Sequence, residues 1–366
     1  MHYREGGSVR AIAALFLALA LAWTVQADES AYLDVGIVIF DPGIPEDEST
    51  HSALAIFPRI REAEAQYLPV TLRREMVDGG EWGVVRVVPD AGPLSELSVE
   101  ARILESSGLR QRIQFVARDA TGRVWLDRQY SLESHETAQT ASGASEPYRK
   151  MYRQVATDLV SFRNELDARS LREIRQVALM RYAYSLSPEA FSDYLVTDET
   201  GRYSLQRLPA EGDSMMVRVE RIRNQEYLFI DNVDEQYGDL HDDMASTYSL
   251  WLQYDREQSL YSEDYEQRAA SRNKQGRRGS FSAMQQSYNA YRNFRIQEQG
   301  MDELATGFNN ELEPTIVETS GKVFRLTGTL ESQYAEWRGI LREIFAIETG
   351  FPVNSTNSGG FSDPTE

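Results

Sequence analysis

The sequence predicts an α+β protein. An N-terminal α/β sandwich-type domain (strand, helix, strand, then an antiparallel meander) comes first. A region of long, coiled-coil-like helices follows it, and a β-hairpin with one more helix closes the fold. Three observations carry this prediction. Between residues 32 and 133 an apolar run, a helical stretch and three alternating segments follow one another. From residue 148 the apolar spacing changes to three and four, the period of an amphipathic helix. Near residue 315 a short two-strand pattern returns before a last amphipathic stretch.

The first strand is read in Tyr32 to Phe40, YLDVGIVIF, closed by Asp41-Pro42-Gly43. Its near-continuous β-branched run suits a strand covered on both faces. A helix is expected from about Ala53 to Asp78, with Ile60, Ala63, Tyr67, Leu68, Leu72 and Met76 at helical steps. Pro69 falls inside it and predicts a kink or a restart. Gly79-Gly80 ends it, and Trp82 to Val88 gives the second strand. Leu97 to Ile103, Leu109 to Ala117 and Arg123 to Tyr130 then form the meander, turning at Ser106-Ser107-Gly108 and Asp119-Ala120-Thr121-Gly122. This order predicts helices on one face of the sheet and a partly wet second face.

Those segments (YLDVGIVIF, EAEAQYLPVTLRREM, WGVVRVV and the turns through ESSG and DATG) resemble in layout the small α/β domains of bacterial envelope accessory proteins. The comparison is with the N-terminal domain of TolB, the CsgG-type domain, the penicillin-binding-protein activator LpoB and transport-auxiliary lipoproteins. The resemblance covers about 100 residues and implies an accessory role at the cell envelope. Most of the proteins in this comparison are lipoproteins; this chain has no cysteine, so that tether is excluded.

The polar stretch between His135 and Pro147 is read as a linker, spanning 134–147. The helical region is expected over 148–313. Its longest helix is placed from about Ser214 to Ser259 along the stripe Val219, Ile222, Phe229, Val233, Leu240, Met244, Tyr248 and Trp251. Gly238 is expected to bend or break it, and Asp264 to Gly279 to form an exposed turn between arms. Residues 199–212 read as a loop. Thr315–Thr319 and Val323–Leu330 predict the hairpin, Glu331–Ile347 the last helix (together 314–350), and 351–366 a disordered tail.

The first 27 residues read as a cleavable signal peptide. Arg4 and Arg10 precede the 13 apolar residues from Ala11 to Trp23, and Thr24-Val25-Gln26-Ala27 supplies the cut after Ala27. The apolar run is shorter than the roughly 20 residues of a spanning helix, so no membrane insertion is expected after cleavage. Export to the periplasm is predicted, with an extracellular destination as the alternative. The remaining chain carries 36 basic and 56 acidic residues, a formal charge of −20. Such a surface repels nucleic acid and keeps a protein soluble.

No nucleophile elbow, dinucleotide loop or phosphate loop is present, and His135-Glu136 lacks the second histidine of a zinc-protease helix. His51, His135 and His241 all sit in polar contexts and are expected at the surface. The acidic stretch DNVDEQYGDLHDD would align Asp231, Glu235, Asp239 and Asp242 on one helix flank beside His241, a weak candidate for a divalent cation. A solvated acidic face is the commoner outcome. Tyr248, Trp251, Tyr254, Tyr288 and Tyr291 would form a stacking or partner surface, or pack between helices. No cofactor is implied. The sequence reading is a periplasmic, non-catalytic accessory or scaffold protein, acidic overall, that binds envelope proteins through its helices. Oligomerisation through the arm and contact with peptidoglycan are compatible with it. The alternatives are a peptidoglycan hydrolase or glycan-binding protein, and a carrier or chaperone for an apolar ligand.

Overall fold

A computed structural model describes residues 32–51, 56–134, 147–272, 315–319 and 322–351, with Gln299 and Glu303 besides. The signal segment, most of the linker, Tyr288, Tyr291 and the tail beyond Phe351 lie outside the described residues.

The predicted α/β unit is present. Strands β1 (Val35–Val38), β2 (Val85–Val88), β3 (Leu97–Ser106), β4 (Arg110–Asp119) and β5 (Val124–Glu133) form one sheet in the order β2-β1-β3-β4-β5. β1 runs parallel to β2 and β3, while β3, β4 and β5 are antiparallel. Helix α1 (Pro58–Gly79) makes the crossover from β1 to β2. Alternation decides the faces. Val35, Ile37, Leu97, Val99, Ile103, Ile113, Phe115 and Ala117 are buried against Ile60, Tyr67, Leu68 and Leu72 of α1. Glu100, Arg102 and Arg118 point to solvent from the other side of β3 and β4. There they pair as Arg118–Glu100 and Arg102–Asp41.

Pro69 does not interrupt α1. A helix-interior proline leaves the carbonyl four residues back without its donor, and here the Ala65 carbonyl accepts the Phe40 amide at 2.9 Å. Gly80, at φ +66°, closes the helix in the left-handed conformation.

Two helices occupy 149–186: α2 (Arg149–Asn164) and α3 (Ala168–Leu186), with Asp167 capping α3 by accepting the Ser170 amide at 2.7 Å. The short α4 (Pro188–Phe191) follows. The stretch read as a loop contains a small hairpin, β6 (Leu195–Thr197) and β7 (Tyr203–Leu205). α5 (Ser214–Arg272) is one helix of 59 residues, about 88 Å at 1.5 Å per residue. It passes through Gly238 unbroken and continues over the first part of the expected polar turn. The glycine penalty, about 1 kcal/mol, is outweighed by burial of Val233, Tyr237, Leu240 and Met244 around it. β8 (Thr315–Thr319), β9 (Lys322–Leu326) and α6 (Leu330–Thr349) form the expected closing unit.

The helices fold back on the sheet. One apolar cluster joins the sheet and α1 to Met151, Tyr152, Val155 and Leu159 of α2 and to Leu240, Met244, Tyr248 and Trp251 of α5. A second joins Val87 and Val88 to the first half of α5, to α3 and to Tyr334, Trp337 and Phe345 of α6. The change of period after residue 133 is therefore a change of secondary structure within shared cores. α5 also seals the sheet edge, where the Val87 amide donates to Asp234 Oδ1 at 2.7 Å. Among the described residues, no helix is long and apolar enough to cross a membrane.

Candidate functional site

The acidic stretch on α5 is drawn to the sheet and to α1 by arginines. Asp231 pairs with Arg86 at 2.5 Å, Asp234 with Arg73 at 2.9 Å and Asp242 with Arg74 at 2.6 Å. Glu235 and Asp239 are exposed. Among the described residues no three metal-binding side chains converge, so the five cation candidates form no common site. His241 corrects the expectation of a surface histidine. It is buried, stacks on Tyr67 with centroids 4.0 Å apart, and meets Thr71 Oγ1 through Nε2 and Asp242 Oδ1 through Nδ1, each at 3.3 Å. The connectivity is that of a nucleophile, base and acid, but Thr71 is buried too and no described cavity reaches it.

Tyr248 and Trp251 are core residues, 2% and 1% exposed, stacked on each other at 5.8 Å. Packing between helices is thus the outcome for both, and their place as a binding surface is withdrawn. Tyr254 is half-buried. The surface that α5 does offer is elsewhere: Leu228, Leu250 and Leu260 are exposed.

Buried acids tie elements together. Glu226 accepts the hydroxyls of Tyr182 and Tyr334 at 2.7 Å each, with Arg338 beside it. Glu64 accepts from Ser106 and Tyr248 at 2.5 and 2.9 Å. Burial raises the Glu64 acid above its ordinary range, against the pull of Arg61. The cavity beside this group, between Tyr148, Tyr152, Tyr248 and Leu252, has a volume of about 10 Å³, room for one water at most.

A roomier cavity, about 130 Å³, lies between the β4–β5 turn, the first turns of α3 and the β6–β7 hairpin. Asp119-Ala120-Thr121-Gly122-Arg123 and Asp198-Glu199-Thr200-Gly201-Arg202 are two copies of D-x-T-G-R. They fold alike. Asp119 Oδ1 accepts from the Thr121 amide, the Thr121 hydroxyl and the Arg123 amide. Asp198 Oδ1 accepts from the Thr200 amide, the Thr200 hydroxyl and the Arg202 amide. Gly122 and Gly201 adopt φ of +82° and +80°, open to glycine at little steric cost. The hydrogen bonds of its own turn hold the Asp198 carboxyl below the usual carboxylate range.

The two turns face each other. The Tyr203 amide donates to the Thr121 carbonyl at 2.8 Å, and a Cβ on Gly122 would stand 3.0 Å from the Gly201 carbonyl oxygen. Arg181 bolts the pair from below, donating to the Ala120 carbonyl at 2.8 Å with its guanidinium over the Tyr203 ring. Arg123 and Arg202, the last residue of each copy, both line the cavity with Ser170 and Glu173. Among the described residues neither guanidinium has an acid within ion-pair distance, though the charge of Arg202 helps to hold the Asp198 carboxyl down. The repeated pentapeptide was the signal that would have found this place in the sequence. The chain matches no protein-family model, no curated protein and no solved structure.

Proposed function

We propose that the protein is an exported, non-catalytic accessory or scaffold protein of the bacterial cell envelope that binds other envelope proteins through its helical region. The observation that carries this is a set of exposed apolar side chains along α5: Leu228 is 72% exposed, Leu250 44% and Leu260 43%. Apolar side chains spaced along one exposed helix suit docking against a partner's groove. The envelope assignment rests on the signal-peptide pattern read in residues 1–27 and on the resemblance in sequence layout to envelope accessory domains.

A photo-crosslinking residue placed at Leu228 or Leu260 in intact cells tests the proposal. A reproducible envelope protein captured there, and absent when the crosslinker sits at Glu100 on the open sheet face, supports it. Recovery of the chain alone from both positions, or peptidoglycan cleavage by the purified protein, rejects it.

A further inference from the structure

We infer that the paired D-x-T-G-R turns bind a small zwitterion, an amino acid or a dipeptide, in the cavity between them. The inference starts from charge. In a chain of formal charge −19, Arg123 and Arg202 line one cavity without an acid within ion-pair distance of either guanidinium among the described residues, although Asp198 lies near enough to feel the charge of Arg202. Guanidinium is always charged and presents a planar set of donors matched to a carboxylate. Two of them, delivered by turns held in the same conformation, make a seat for one anionic head.

The remaining lining selects among anions. Glu173 and Asp198 also line the cavity, so its formal charge is balanced by two arginines and two acids. Asp198 spends Oδ1 on its own turn, which leaves Glu173 as the freer acceptor. A phosphate or a dicarboxylate would set two negative charges against these acids. A molecule carrying one carboxylate and one ammonium satisfies both signs, with Ser204 beside them. Size agrees: a water's share of volume is about 30 Å³, so a cavity of about 130 Å³ holds about four waters, the room of one small amino acid or the head of a dipeptide.

The turns are rigid where rigidity matters. Both aspartates lock their loops, Arg181 holds Ala120 against Tyr203, and the Tyr203 amide joins one turn to the other. Such pre-organisation reduces the ordering cost of binding.

Isothermal titration of the full chain with alanine, dialanine, N-acetylalanine and inorganic phosphate is the test. Saturable binding of an amino acid or of dialanine is expected, and which of the two binds tells a free amino acid from a peptide. Arg123→Ala and Arg202→Ala should each weaken it by about tenfold. Glu173→Gln should weaken it too and bring N-acetylalanine level with alanine. Melting midpoints of the three variants keep loss of binding separate from loss of fold. The inference is overturned by no binding of any zwitterion, by phosphate or N-acetylalanine binding the native chain as tightly, or by full affinity in the double arginine variant.

Discussion

The Phe40 amide donates to the Ala65 carbonyl, the one that Pro69 leaves without a helical donor. A helix defect is thereby converted into the joint between the end of β1 and the middle of α1. Removing a proline from a helix interior normally gains about 3 kcal/mol. Pro69→Ala should gain clearly less, because a straightened helix draws the Ala65 carbonyl away from Phe40. Urea midpoints of the two proteins check this; a full 3 kcal/mol gain would show that the joint contributes nothing.

Glu64 gives the stability a definite pH slope. Burial raises its pKa above the ordinary 4.5, while Arg61 and the Ser106 and Tyr248 hydroxyls pull it down and Asp255 pushes it up slightly. A raised native pKa means that the folded state holds the proton more tightly. The corresponding stability is complete below the unfolded value and is lost as pH rises through the raised one. Glu64→Gln mimics the protonated acid and keeps an acceptor for both hydroxyls. Its melting midpoint should match the native protein near pH 4 and exceed it increasingly toward neutrality. Parallel curves would refute the assignment.

Trp251 and Tyr254 sit one helical turn apart on α5 and should behave oppositely. Trp251 is 1% exposed within the cluster that joins α5 to the sheet, so Trp251→Ala should cost about 3–5 kcal/mol. Tyr254 is only half-buried, and its truncation should cost less than about 1 kcal/mol. Denaturant titration of both variants decides it. Equal small losses would return Trp251 to the surface.

Gly108 marks where the β3–β4 hairpin touches α5. A Cβ there would lie 2.1 Å from the Leu252 carbonyl oxygen and 2.4 Å from the Arg256 nitrogen. Asp255 accepts the Gly108 amide at 2.7 Å, so the contact is bonded as well as tight. Gly108→Ala should destabilise by about 1–3 kcal/mol and raise hydrogen exchange in α5 from Tyr248 onward. Unchanged exchange there would mean that this seat does not hold the helix.

Period alone determined much of the fold. Alternation in β3 and β4 is a local consequence of which face is wet, so the meander and its turns were legible residue by residue. The three- and four-residue steps of α5 and α6 follow in the same way from burial on one side. Local pattern could also have flagged two features: Glu226, which stands at a core step between Ile222 and Phe229, and the repeated D-x-T-G-R. What no pattern contained was the partner of each apolar stripe. The same stripe on α5 serves a free arm, a dimer or a return onto the sheet, because hydrophobic burial is non-directional. Tertiary structure chose the return. It made Tyr248, Trp251 and His241 core residues, turned Asp231, Asp234 and Asp242 toward arginines from the sheet and α1, and brought Arg123 and Arg202 to one cavity. Those outcomes depend on contacts between residues far apart in the chain, which only the packed fold brings together.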